Sequence, residues 1–424
     1  VTAPAGTLVD TAPPLDVEGE SGTVGELDLL LAVLSHQHAR TIGSVVHALG
    51  AGVAARFPGA RAAIAHWDAG STDGTREAAT EAAGGLRVLA LAGPVAPRPR
   101  PPAPVHGVPG GDVGFRAVCR VARASGARAV LLVGADLRAL PEEWVERLLR
   151  PAWAGELDLV TPLYARAVLD GPVTTCLLYP LTRALYGASV RSLVTAELGL
   201  SRQLVARLGE APGWGTAASR TPPLFAATVA AATGARLGEA WLGGRDAEPR
   251  EARLDLGDIV SEAVGAVFTL AELYEEQWHD RKPGSPPARL GEPVSTPSLI
   301  APAAQARMVA VFRQGLRDLP PIWEQVLTAA TLADLYALGD LAPEEFAFPA
   351  ELWTRVVYDF LLAHRFRTLH RGHLLRSLVP LYLGRLATLG RDAAGQPAPV
   401  QERLLERQAQ AFEGLKGELA DRWR

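Results

Sequence analysis

The stretch Ala127–Trp153, ARAVLLVGADLRALPEEWVERLLRPAW, constrains the fold more than any other part of the chain. A short apolar run, Ala129–Val133, stops at Gly134-Ala135-Asp136, and an amphipathic helix is predicted to begin near Pro141. Apolar character that is continuous over so few residues reads as a strand buried on both faces. Proline needs no amide donor in a first helical turn, and Glu142 and Glu143 suit the positive helix end. Asp136 is thereby delivered to the carboxyl end of a central strand, where open α/β sheets bind their ligands. The same spacing also fits a loop aspartate that satisfies nearby backbone donors.

The alternation continues on both sides. Strands are predicted over Leu27–Leu34, Arg61–Asp68, Leu86–Leu91 and Leu157–Thr161. Helices are predicted over Thr41–Arg56, from Thr75 to about Ala83, and over Val113–Ala124. This order predicts an α/β fold, a mostly parallel, doubly wound, Rossmann-like sheet with helices on both faces. One further strand is expected at Arg236–Leu242, and from Leu254 the pattern is helical almost throughout. There Ile259, Ala263, Val267 and Leu270, and later Trp353, Val356, Val357 and Phe360, recur at helical spacing. The Pro-, Gly- and acid-rich start, 1–26, is read as a disordered tail. The proline-rich Gly93–Gly111 is read as a surface loop near the site, and 281–298 as a linker. The organisation predicted is a nucleotide-sugar-binding part over 27–250 and a helical part over 251–424.

Charge and composition exclude several function classes. A net charge of −4 and a pI near 6.2 give no whole-chain case for nucleic acid or an anionic membrane as partner. Lys282 and Lys416 are the only lysines, which leaves few to hold phosphate. Two cysteines, Cys119 and Cys176, both in predicted helices, speak against a disulfide framework or a zinc cluster, and the reading is cytoplasmic. No apolar stretch approaches the roughly 20 residues that span a bilayer. The start has no basic region followed by an apolar core, so it does not read as a signal peptide.

The most specific short motif is DAGSTDGT, Asp68–Thr75. Asp68 ends a strand, Gly70 and Gly74 allow tight turns, and Asp73 or Thr75 can cap the helix that follows. As turn chemistry alone this would be ordinary. Together with Asp136 it resembles the nucleotide-sugar half of GT-A fold glycosyltransferases. Tyr164–Gly187, Ala196–Ser201, Pro349–Phe360, His373–Arg385 and the closing AFEGLKGELADRW look like the retaining hexosyltransferases of the glucosylglycerate synthase and mannosylglycerate synthase group. These blocks fall in order and cover nearly all of the chain from Leu27.

The resemblance implies transfer of a hexose, with retention, from a nucleotide sugar to a small acidic acceptor of the glycerate type. It implies Asp68 beside the base, Asp73 and Arg245 in the nucleotide-sugar site, and Glu197 as a catalytic residue on the sugar or acceptor. It implies Asp136 as a catalytic residue holding a divalent metal, Mg or Mn, on the diphosphate. Arg166 and Asp170 would contact the acceptor, although pairing between them on a loop fits equally. A homo-oligomer is compatible with the sequence, which does not fix the oligomeric state.

Several positions depart from that family's pattern. Its first loop, Tyr-Asn followed by Asn or Glu, is Ser35-His36-Gln37-His38 here. Its Pro-Gly-Lys-Gly is Pro109-Gly110-Gly111-Asp112, and its Asp-x-Asp is Gly134-Ala135-Asp136. Its Gly-Gly-Glu is Thr195-Ala196-Glu197, its Gly-x-Asp loop near Trp214 has no carboxylate, and its late metal-binding histidine becomes Arg245. A cation beside a single carboxylate repels a metal, so weak or absent divalent-metal dependence is expected. Arg245 is expected to rest against Asp136, with a bound diphosphate drawing it across; pairing with Asp246 or Glu248 is the alternative.

Other polar groups read as ordinary surface or core. His36 and His38 form either a loop pair or a metal pair. His364, His370 and His373 lie in a basic helical segment read as a solvated face, and Trp353 and Tyr358 are read as core. Two functions therefore compete: the hexosyltransferase, and a catalytically impaired paralogue that binds nucleotide sugars or regulates a partner. A Rossmann dehydrogenase is disfavoured, because no G-x-G-x-x-G follows the first strand.

Overall fold

A computed structural model describes residues 16–18, 24–92, 108–165, 171–248, 256–282, 284, 286–292, 302–342 and 344–424. The strands are β1 (Asp16–Glu18), β2 (Leu29–Ser35), β3 (Ala62–Asp68), β4 (Arg87–Ala92), β5 (Ala129–Gly134), β6 (Leu159–Tyr164), β7 (Leu198–Ser201), β8 (Leu237–Gly243) and β9 (Ala288–Leu290). The first helices are α1 (Ile42–Arg56), α2 (Thr75–Glu81), α3 (Gly111–Ala124) and α4 (Glu142–Trp153). One nine-stranded sheet runs in the order β1-β4-β3-β2-β5-β7-β6-β8-β9 among the described residues. β4, β3, β2 and β5 are mutually parallel, as are β6, β8 and β9. The fold is the expected one: a mostly parallel, Rossmann-like α/β sheet followed by a helical C-terminal region.

Side chains alternate across a strand, so each central strand feeds two cores. Leu29, Leu31 and Val33 of β2 and Ala129, Leu131 and Val133 of β5 join Val45, Leu49, Trp144 and Leu148 of α1 and α4 on one face. Leu30 and Ala32 of β2 and Val130 and Leu132 of β5 point the other way, toward Phe115 and Val118 of α3. That second cluster continues without a break into the C-terminal helices, through Val264, Phe268, Trp353, Tyr358, Phe412 and Trp423. The helices from Leu256 onward thus share one core with a face of the sheet. The closing helix, Ala398–Trp423, is fastened by Glu406 and Glu413, which pair with Arg183 at 2.6 and 2.9 Å.

Three short elements differ from the sequence reading. Asp16–Glu18, inside the segment read as disordered, pairs antiparallel with β4, while 1–15 and 19–23 lie outside the described residues. Ala288–Leu290, inside the segment read as a linker, extends the sheet beside β8. The proline-rich segment lies outside the described residues over 93–107.

The third is β7, a four-residue strand that runs antiparallel to both of its neighbours, β5 and β6. So short a strand, with a glycine inside it, gives neither a run nor an alternation to detect. Its glycine is a packing requirement. A Cβ on Gly199 would sit 1.9 Å from the carbonyl oxygen of Leu148, so α4 lies directly on the backbone of β7. Gly199→Ala should therefore cost about 1–3 kcal/mol or more, read as a lowered urea midpoint. An unchanged midpoint would contradict this close contact.

Candidate functional site

The site forms where two loops meet at the carboxyl end of the sheet. The loop after β5 and the loop after β8 are laced together by backbone bonds. Arg138 N donates to Asp246 O (3.0 Å), Glu248 N donates to Asp136 O (2.7 Å), and Leu137 bridges Ala247. Thr41, at the start of α1, donates its hydroxyl to Ala135 O at 2.6 Å and pins the Gly134-Ala135-Asp136 turn. This lacing brings Arg245 over Asp136, residues 109 apart in sequence.

Glu197 reaches the same point from a different direction. It precedes Leu198, the residue of β7 that pairs with Leu132 of β5, so the antiparallel strand carries it to the end of β5. Tyr164, the last residue of β6, donates its hydroxyl to Glu197 Oε2 at 2.9 Å. Tyr164 packs on Trp144, with ring centroids 5.4 Å apart, and Trp144 Nε1 donates to Leu242 O at 2.8 Å.

Arg245 joins these groups into one cluster. Its Nη2 donates to Asp136 Oδ1 at 2.7 Å and to Glu197 Oε1 at 2.9 Å. Its Nη1 donates to Asp136 Oδ2 and its Nε to Glu197 Oε1, each at 3.2 Å. The Glu197 side chain is fully buried, whereas Arg245 and Asp136 are 17% and 18% exposed. Burial opposes the guanidinium charge, but attraction to Glu197 and hydrogen bonding to Asp136 outweigh it and raise the pKa further above its ordinary value. The alternative partners are engaged elsewhere: Glu248 pairs with Arg40, and Asp246 lies 3.9 Å from Arg138.

A pocket of about 170 Å³ opens above this cluster, lined among others by Leu34, His38, Gly111, Asp136, Thr195 and Arg245. Such a position, at the carboxyl ends of parallel strands, is where this architecture accommodates ligands. The sequence pattern presents His38 only as a loop or metal histidine; the structure puts it in the pocket lining. Burial lowers its pKa, against the opposing pull of Asp136 and Glu248. Its Nδ1 accepts from the backbone N of His36 at 3.0 Å, a bond within the loop.

Asp68 sits at the same sheet end, opposite Ser35 in the β2–β3 register, but it does not line this pocket. Its carboxylate turns into its own loop. It accepts from Ser71 N at 2.9 Å, Gly70 N at 3.2 Å, Arg76 Nε at 2.9 Å and Ser35 Oγ at 3.2 Å. Local donors within hydrogen-bonding reach thus claim the Asp68 carboxylate for its own loop. Asp73 likewise serves the loops, accepting from Ala39 N at 3.0 Å and Thr75 N at 3.2 Å. Gln37 N donates to Ser71 Oγ at 2.8 Å and His38 N to Thr75 Oγ1 at 2.9 Å, which stitches the first loop to DAGSTDGT. Arg166 and Asp170 lie outside the described residues.

The divalent metal implied by the resemblance does not fit the residues present. Both carboxylates at the pocket floor are already bonded to one guanidinium. Among the described residues no cluster of three or more His, Cys, Asp or Glu could hold an ion. Elsewhere, Cys119 and Cys176 are buried and their thiols pushed up to about 12, which makes them unreactive. His364 is buried against Glu272, which Arg371 also engages, so the basic segment is only partly a solvated face. No described helix is long and apolar enough to cross a membrane.

Neither a family model nor a curated protein matches the chain. Solved structures similar to it include glucosyl-3-phosphoglycerate synthase from Mycobacterium tuberculosis with Mn2+, UDP-glucose and phosphoglyceric acid, at 21% identity and TM-score 0.42, covering 59% of this chain and 80% of that one. The same synthase with Mn2+, UDP and glucosyl-3-phosphoglycerate is 22% identical, with TM-score 0.42 and coverage of 62% and 88%. Its complex with Mg2+ and UDP is 20% identical, with TM-score 0.41 and coverage of 59% and 80%.

The Asp68 carboxyl gives a pH prediction. Burial alone would raise its pKa, but hydrogen bonds from Ser71, Arg76 and Ser35 hold it below the usual carboxylate range. A depressed folded-state pKa stabilises the fold above the unfolded value, about 4, and that gain is lost as pH falls through the folded one. Asp68→Asn should therefore lower Tm at pH 7, and the gap to wild type should narrow toward pH 3. A gap that stays constant with pH would refute this account of the loop.

Proposed function

We propose that this chain binds a nucleotide sugar in the pocket above Asp136 and Arg245, as a protein of the glycosyltransferase type. The carrying observation is the pocket itself, at the carboxyl ends of β2 and β5, with charged hydrogen-bonding groups on its floor. The sequence blocks resembling the glucosylglycerate and mannosylglycerate synthase group supply the chemical classes: a hexosyl donor, a small acidic acceptor and transfer with retention. In this reading residues 27–250 carry the donor site and 251–424 form a helical part packed on it. Asp136 and Arg245 form the floor, Asp68 and Asp73 shape the loops at its rim, and Arg166 and Asp170 belong to the acceptor side.

A second reading, an impaired paralogue that binds nucleotide sugars without turning them over, has one observation in its favour. Glu197 and Asp136 are both committed to Arg245, so neither carboxylate stands ready to act on a sugar or a leaving group. Titration calorimetry with UDP-glucose and GDP-mannose tests the shared core of both readings. Binding in about the 1 μM–1 mM range usual for enzyme substrates is expected for one of them. Ala196→Trp, which fills the pocket from the residue beside Glu197, should abolish that binding. The absence of heat with either donor would remove the donor-site reading. Formation of a glycosylated glycerate or phosphoglycerate then separates the transferase from the impaired paralogue.

A further inference from the structure

The pocket floor holds its cation as part of the chain. We infer that Arg245, seated in the space left by Gly134, occupies the place of a divalent ion, and that Asp136 and Glu197 act as positioning residues for it. The pocket then takes its ligand without metal.

Three observations carry this. The first is occupancy: one guanidinium bonds both carboxylates through four hydrogen bonds of 2.7–3.2 Å. A divalent ion needs those same oxygens in its first shell, and a fixed positive charge beside them repels it. The second is the room made for the guanidinium. A Cβ on Gly134 would lie 2.5 Å from Asp136 Oδ1, 3.0 Å from Arg245 Nη2 and 3.2 Å from Glu197 Oε1. Any side chain at 134 would therefore push into the cluster, so Gly134 and Arg245 work as a unit. The third is anchorage. Glu197 is fully buried, with Tyr164 and Arg245 as its bonded partners here. Drawing Arg245 away toward a ligand would leave a buried carboxylate without its counter-charge, which is strongly unfavourable.

On this inference Arg245 stays in place when the pocket fills, in contrast to the expectation that a diphosphate draws it across. A guanidinium has five N–H donors. Four are directed at the two carboxylates, and one on Nη1 is left without an acceptor among the described residues. One guanidinium against two carboxylates also leaves no surplus positive charge on the floor. A ligand meets an oriented donor there, with Asp136 as the adjacent acceptor.

This inference concerns the same pocket as the proposed function but does not depend on what the ligand is, so the probe is Mn2+ alone. Loss of the free-ion EPR signal is measured on the full chain and on folded variants, with folding checked by circular dichroism. Wild type and Arg245→Lys, which keeps a cation at the floor, should leave the signal unchanged. Arg245→His removes the fixed cation and adds a ligating nitrogen, so it should bind Mn2+ roughly tenfold or more tightly than wild type. Adding Asp136→Ala should erase that gain. Arg245→Gln serves in its place where the histidine variant does not fold. Mn2+ binding by wild type that Asp136→Ala abolishes would overturn the inference. So would folded Arg245→His or Arg245→Gln proteins that bind no better than wild type. Nucleotide sugars that fail to bind would remove the donor-site reading and leave this result standing.

Discussion

β2 and β5 are apolar on both faces, and neither face can be left to water. Burying one large aliphatic side chain is worth about 1.5–3 kcal/mol, so a pair of strands such as Leu29–Ser35 and Ala129–Gly134 holds much of the stability of the domain. The demand for cover on two sides sets the architecture. α1 and α4 close one face; α3 and the C-terminal helices close the other. Parallel pairing of β4, β3, β2 and β5 then brings their carboxyl ends to one side of the sheet. The loops that carry Ser35, Asp68 and Asp136 are forced to meet there.

At that meeting point local chemistry divides the acidic residues into two kinds. Asp68 and Asp73 are followed within a few residues by backbone and hydroxyl donors, and both are used up in shaping loops. Asp136 is bonded across the fold by Arg245, delivered by a loop more than a hundred residues later. A carboxylate committed to its own turn fixes the rim of a pocket, whereas one paired across the fold sits on its floor. The difference is one of contact order: donors two or three residues away cost little chain entropy to recruit.

The floor cluster links three residues that look independent in the sequence. Glycine at 134 clears a volume, arginine at 245 fills it, and the glutamate at 197 balances the charge that arrives. A buried guanidinium without those carboxylates would be untenable, and so would the fully buried Glu197 without the guanidinium. The three charged groups are therefore bonded into one network. Such networks rigidify the groups they contain, and here the rigid group is the base of the pocket.

Sequence by itself determined the alternation of buried strands and amphipathic helices, because periodicity is a local property that burial on one or two faces imprints directly. It located β2, β3, β4, β5, β6 and β8, the first four helices, and the placement of Asp136 beyond a central strand. It also suggested that Arg245 rests on Asp136, through a family resemblance that aligned the two loops. β7 escaped it, since four residues around Gly199 leave no period to detect. The resemblance put Glu197 and Arg245 in one site, but with β7 unseen the bonding between them was invisible, as was the hydroxyl of Tyr164 on Glu197. The capture of Asp68 by its own loop was equally hidden, because a sequence shows which donors are near but not which acceptor they choose. Only the tertiary structure decided those matters: an antiparallel strand inserted between β5 and β6, and two loops laced by backbone bonds, set distances that no local pattern encodes.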